Sequence, residues 1–147
     1  MTVLRISTDQ AELDVARIHR FLCGEAAWSR GISRSTVERA IAGSLCCGGD
    51  VEGAGQVAFA RVVNDGAAFG DLADVLVLSA HRRRGHGRRV MDAVMVHPQL
   101  QGLRRLLLAT SDAHGLYGPY GFAAQARPPS LMERLRSDLY LAAGAAH

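Results

Sequence analysis

The spacing of apolar residues divides this chain into short elements. Val3 to Ile6 predicts a short strand. From Asp9 onward, Leu13, Ala16, Ile18 and Leu22 recur at helical spacing. They predict one helix running to about Cys23, with Thr8 or Asp9 as its N-cap. A loop over 24–31 follows, and Ser33 caps a second helix that carries Val37, Ala40 and Ile41 and stops at Gly43. Ser44 to Cys47 opens a strand that Gly48-Gly49-Asp50 is expected to break as a turn. Gln56 to Val63 predicts a strand, Asn64-Asp65-Gly66 a turn, and Ala67 to Ser79 the next strand. Within it Val75-Leu76-Val77-Leu78 is apolar on both faces, as in a strand central to its sheet.

The second half changes period. A helix from Gly85 to about Val96 puts Val90, Ala93, Val94 and His97 on one face, and Pro98 ends it. Leu103 to Thr110 predicts another buried strand, after which Ser111 or Asp112 can cap a short helix through Tyr117. Phe122 to Ala126 is expected to form a last strand before Pro128-Pro129. Leu131, Leu135, Leu139 and Tyr140 then predict an appended amphipathic helix. Two helices, a β-meander and then strand-helix-strand-helix-strand make the fold class α+β. Its sheet is mixed, mostly antiparallel and flanked by helices. Residues 1–130 are expected to form one domain, with 131–147 its C-terminal helical extension.

Composition narrows the chemistry. The 147 residues suit one domain, and 48% apolar residues with a mean hydropathy of +0.05 suit a folded globular one. No apolar run approaches the ~20 residues that span a bilayer, and the N-terminus lacks a signal-peptide pattern, so the expectation is cytoplasmic. All 17 basic residues are Arg, which excludes Schiff-base chemistry and a phosphate-loop lysine. A genome rich in G and C would explain that bias alone. The net charge of +3 is uneven, since Arg82, Arg83, Arg84, Arg88 and Arg89 crowd together beside His81 and His86. Such a cluster suits a polyanion, either nucleic acid or a phosphorylated cofactor. Cys23, Cys46 and Cys47 offer no CxxC pair and no matching His spacing, so free thiols and no metal are expected.

Arg82-Arg83-Arg84-Gly85-His86-Gly87-Arg88 follows a buried strand and opens a helix. First-turn amides have no intrahelical partners and carry the positive end of the dipole, so a diphosphate is favoured there. The run also fits a known pattern: Arg or Gln, two residues, Gly, one residue, then Gly or Ala. That pattern, its flanking element order and the ending Tyr117-Gly118-Pro119-Tyr120-Gly121-Phe122 resemble the GNAT superfamily of acetyl-coenzyme A-dependent N-acyltransferases. More narrowly, Gly55 to Val63, Leu72-Ala73-Asp74-Val75, His97 to Arg105 and Asp112 to Tyr117 are similar to a subgroup of small bacterial members. A Trp also recurs there at the place of Trp28. The subgroup generally has Gly at position 83, an aliphatic residue at 86 and an aromatic at 71. This chain has Arg83, His86 and Asp71 there.

The resemblance implies a GNAT fold with splayed central strands and direct acetyl transfer without a covalent enzyme intermediate. Backbone groups near Leu76, Val77 and Leu78 would pair with the pantetheine arm and polarise the thioester carbonyl. Arg82, Arg83, Arg84, Gly85, His86, Gly87 and Arg88 would hold the phosphates, with Asp112 and Leu116 beside the coenzyme. Tyr117 is the candidate acid for the leaving thiolate, with Tyr120 the weaker alternative. Asp74 shares a strand face with Leu76 and Leu78. It is either the general base or a structural carboxylate bonded to a nearby amide or to Arg61. His114 is read as orienting the short helix, and Asp112 as its cap. Glu25 and Trp28, on the loop between the first two helices, are expected to line the acceptor site, where an aromatic beside a carboxylate suits a cationic amine.

The expected function is therefore an acetyl-coenzyme A-dependent N-acetyltransferase acting on a small molecule or peptide amine, as a homodimer and without a metal. Two readings compete. One is a coenzyme-binding sensor without turnover. The other is nucleic-acid binding through residues 82–89, which lack the interleaved aromatics of single-strand binders.

Overall fold

A computed structural model describes residues 3–110 and 113–144. Five strands lie side by side in chain order: β1 (Leu4–Ser7), β2 (Leu45–Val51), β3 (Gly55–Asn64), β4 (Phe69–Val77) and β5 (Arg105–Leu108). The first four are antiparallel neighbours, and β5 joins β4 in parallel, as in a mixed sheet fed by one crossover. That crossover contains α3 (His86–Val96), which covers one face of the sheet, while α1 (Val15–Gly24) and α2 (Arg34–Ala42) cover the other. The α3 face buries Val57, Val62, Leu72, Val90, Met91 and Val94. The opposite face buries Ile18, Phe21, Leu22, Val37, Ile41, Phe59 and Leu76. Removing each such side chain from water stabilises the fold by roughly 1.5–3 kcal/mol, so both layers are held firmly to the sheet.

Several elements follow the sequence reading closely. Ser33 caps α2 by accepting the Thr36 amide at 3.2 Å, and Gly43 ends it. At the β3–β4 hairpin Asp65 Oδ1 accepts the amides of Ala67, Ala68 and Phe69 at 2.8, 2.8 and 3.1 Å. Those bonds hold the Asp65 carboxyl below its ordinary range.

Other elements differ. The first helix starts six residues late: Asp9 caps only a short 3-10 turn at 10–12, Leu13 is extended, and Asp14 caps α1 by accepting the Arg17 amide. The Asp14 amide is drawn away to Gln56 Oε1 at 2.9 Å, which breaks the helical ladder there. Gly48-Gly49-Asp50 forms no turn and continues β2. A Cβ on Gly49 would lie 3.0 Å from Leu4 Cδ1, so glycine there serves the packing of β1's side chain over the sheet. Residues 122–126 join no strand ladder among the described residues. Phe122 instead sets its ring edge-on to Tyr117, centroids 6.0 Å apart. The helix expected from 131 is confined to α5 (Leu139–Gly144), because Leu131, Met132 and Leu135 find no surface to bury against and are 50%, 96% and 68% exposed.

The irregularity that matters most lies in β4. Arg61 pairs with Asp74 but Val62 pairs with Leu72, so Ala73 is an extra residue bulged out of the β4 ladder. Leu72 therefore faces the α3 layer, whereas Asp74 and Leu76 face α1 and α2. Pairing with β5 ends at the same place, at Leu72 and Leu108, so β4 beyond the bulge has an open side.

Candidate active site

The open side of β4 is walled by the α1–α2 loop on one flank and α4 (His114–Tyr117) on the other. The Leu78 amide donates to the Val57 carbonyl at 2.8 Å. Amide direction alternates along a strand, so Leu76 also turns its backbone to β3, while Val75 and Val77 turn theirs to the open side. The free backbone groups expected at Leu76, Val77 and Leu78 thus narrow to Val77, joined by Val75. Arg82 Nε donates to the Val77 carbonyl at 3.1 Å, which leaves the Val77 amide facing the groove.

Gly85 ends the Arg-rich turn in the left-handed region, φ 81°, and no side chain caps α3. The first α3 bond runs from the Arg89 amide to the Gly85 carbonyl, so the amides of His86, Gly87 and Arg88 point out of the helix toward any anion seated there. Gly87 lets the backbone approach, with Leu116 Cδ2 and Val77 Cγ2 at 3.8 and 4.0 Å from where its Cβ would stand. A groove of about 520 Å³ runs along this turn past Val75, Val77 and Leu116 to Tyr117. Arg82 and Arg83 line it, and Arg84 and Arg88 are not among its lining residues. Arg83 holds φ 64°, a backbone region that costs a non-glycine residue about 1 kcal/mol, which accounts for the glycine usual at this place in similar proteins. Asp112 lies outside the described residues. The amide of Ala113 is held by Thr110 Oγ1 at 3.0 Å, and His114 is exposed.

His86 is 3% exposed, and its Nε2, like Nδ1 of His81, is buried without a hydrogen-bond partner among the described residues. Burial, then the nearby His81, Arg84 and Arg89, pull its ring below the ordinary histidine range. The folded chain thus disfavours the protonated ring that the unfolded chain accepts near pH 6.5, and stability is lost as pH falls below that value. His86→Leu should flatten this acid limb, read as the change in urea midpoint between about pH 7.5 and about pH 5.5. An equal fall in the variant would assign the acid sensitivity to other groups.

A second cavity, about 750 Å³, continues past Tyr117 along the bulge. Trp28, Val75, Ala113 and Tyr117 border both spaces, so they meet at the tyrosine. Tyr117 is 9% exposed and packs in the α3-side core. Tyr120 is committed elsewhere: its hydroxyl donates to Asp92 Oδ1 at 2.6 Å, and burial with that carboxylate pushes it up to about 12.

Asp74 is 6% exposed and both its oxygens are engaged. Trp28 Nε1 donates to Oδ1 at 2.9 Å, and Arg61 Nε donates to Oδ2 at 2.7 Å. The bond to Arg61 is the one the structural alternative named, and the carboxylate also holds the indole nitrogen of Trp28, a residue that is otherwise 59% exposed. Glu25 departs from expectation. It accepts from Ser79 Oγ at 3.3 Å and lines the groove along the Arg-rich turn, not the second cavity. Among the described residues the carboxylate lining the second cavity is Asp71, which the sequence marks only as a departure from the usual aromatic. Burial pushes the Cys46 thiol up to about 12 and the Cys47 thiol to about 11, so neither is a nucleophile at neutral pH. Among the described residues no cluster of His, Cys, Asp or Glu could hold a metal, and no helix is long and apolar enough to cross a membrane.

Residues 48–124 match the family described as the acetyltransferase (GNAT) domain. A Gibberella zeae protein assigned as an acetyltransferase is 31% identical over 134 residues, 77% of this chain and 75% of that one. The crystal structure of a Xanthomonas campestris protein assigned to the GNAT family superposes with a TM-score of 0.91 at 54% identity, covering 95% of this chain and 98% of that one. An aminoglycoside N-acetyltransferase crystallised with coenzyme A shares the fold at a TM-score of 0.63 and 17% identity, over 92% and 97% of the two chains.

Proposed function

The chain belongs to the GNAT acetyltransferase family, and from that premise we propose that it transfers acetyl from acetyl-coenzyme A directly to a primary amine of a small molecule or peptide. The observation that carries this reading is the meeting of the two cavities at Tyr117, beside the open backbone of Val75 and Val77. The diphosphate lies against the amides of His86, Gly87 and Arg88, and the pantetheine arm follows the open side of β4. The Val77 amide donates to the arm or to the thioester oxygen, where negative charge builds as the amine attacks.

The neutral amine forms the new C–N bond while the C–S bond breaks. Tyr117 gives its proton to the departing thiolate, and the excess proton on nitrogen restores the phenol directly or through water. Asp74 acts as a positioning residue, holding Trp28 at the junction.

Calorimetric titration with acetyl-coenzyme A, and with dephospho-coenzyme A in parallel, tests the donor site. Saturable one-to-one binding is expected, with the dephospho form about tenfold weaker if Arg82 or Arg83 holds the 3′-phosphate. No binding at millimolar coenzyme would sink the proposal.

A further inference from the structure

The second cavity has a charge that the transfer chemistry does not use. Asp71 is half-buried in its wall, and among the described residues no donor hydrogen-bonds or ion-pairs with its carboxylate. It is the one formally charged side chain among the described residues that line this space. Burial raises it from its ordinary range, Arg61 lowers it and Asp74 raises it. Arg61 is directed elsewhere: its Nε donates to Asp74 and its Nη1 to Ser44, and among the described residues it makes no bond to Asp71. Trp28, with its ring exposed and its nitrogen fixed, lies across the same cavity.

Position along β4 decides what such a carboxylate does. Asp71 precedes Val75 by four residues, one of them bulged, so about 10 Å separates it from the backbone where transfer takes place. That is too far to take a proton from the attacking nitrogen. It is the right distance to hold the far end of an extended acceptor.

Building on the acetyltransferase reading, the geometry points to an acceptor with two cationic centres: one amine is acetylated beside Tyr117, and a second ammonium binds Asp71 against the face of Trp28. An ammonium there gains a charge-assisted hydrogen bond and a cation–π contact, and it satisfies a carboxylate that burial leaves short of partners. A neutral group in its place gains neither. The acceptor class is therefore an α,ω-diamine or a longer polyamine.

The test is calorimetric binding to the coenzyme A complex of the protein. One probe is an α,ω-diaminoalkane spanning about 10 Å; the other is the amino alcohol of equal length, whose hydroxyl replaces the second ammonium. The diamine is expected to bind at least about tenfold more tightly, and Asp71→Asn to erase that preference. Equal affinities in the unaltered protein, or a diamine that does not bind, overturn the inference. A preference that survives in Asp71→Asn also overturns it. Coenzyme titration accompanies each protein. If coenzyme binds while the diamine shows no preference, only the acceptor assignment fails; if coenzyme fails to bind, the transferase reading fails first. Should the variant not fold, the comparison of the two probes on the unaltered protein still decides.

Discussion

Tyr117→Phe is expected to lower kcat about a hundredfold or more while acetyl-coenzyme A affinity stays within about twofold. The ring is buried against Phe122 and the α3-side core, and phenylalanine keeps that packing. What it loses is the hydroxyl of a residue that lines both cavities. Thiolate departure without a proton donor exposes charge that only water can meet, so the loss falls on turnover. Stopped-flow turnover, with calorimetry as control, separates the two quantities. An unchanged kcat would mean that the thiolate leaves unassisted and that the tyrosine is a packing residue.

Asp74→Ala should act in the opposite way, costing the fold about 3 kcal/mol in urea denaturation. The carboxylate is buried and serves two donors, so its removal strands the Arg61 guanidinium and the Trp28 nitrogen together. Asp74→Asn keeps an acceptor for Trp28 and loses the ion pair, so an intermediate loss is expected. Trp28 is the chain's single tryptophan, and its fluorescence should shift in Asp74→Ala, where the indole is released, and stay nearer its original position in Asp74→Asn. A stable Asp74→Asn protein with kcat reduced a hundredfold would restore Asp74 as the base.

The parts of the site that chemistry ties to sequence order were legible in advance. A buried strand, an Arg/Gly turn and a helix start can be read as an anion cradle because amide exposure follows from where a helix begins, and Gly85 and His86 begin it where expected. The place of Tyr117 at the end of a short helix was readable from the spacing as well. The partners of Asp74 needed the third dimension, because Arg61 lies opposite it across the strands and Trp28 arrives from 46 positions away. The Gly48-Gly49 pair misled because glycine marks turns and close packing alike. Residues 131–138 misled because helical spacing shows which face could be buried and not whether a surface exists to bury it. The role of Asp71 was hidden because its partners, on the reading above, lie in the acceptor.

The bulge at Ala73 makes β4 a switchboard of parity. Every position after it is dealt to the face opposite the one that strict alternation would assign, so Asp74 meets Trp28 and Val75 meets the α3 layer. Flattening the bulge while keeping Ala73 in the ladder would exchange those sides wholesale. It would carry the carboxylate into the core beneath α3 and turn Val75 out beneath the indole. A one-residue change in the length of β4 is thus tolerated where the bulge absorbs it, and anywhere else along the strand it would turn the side chains of the site to the wrong face at one stroke.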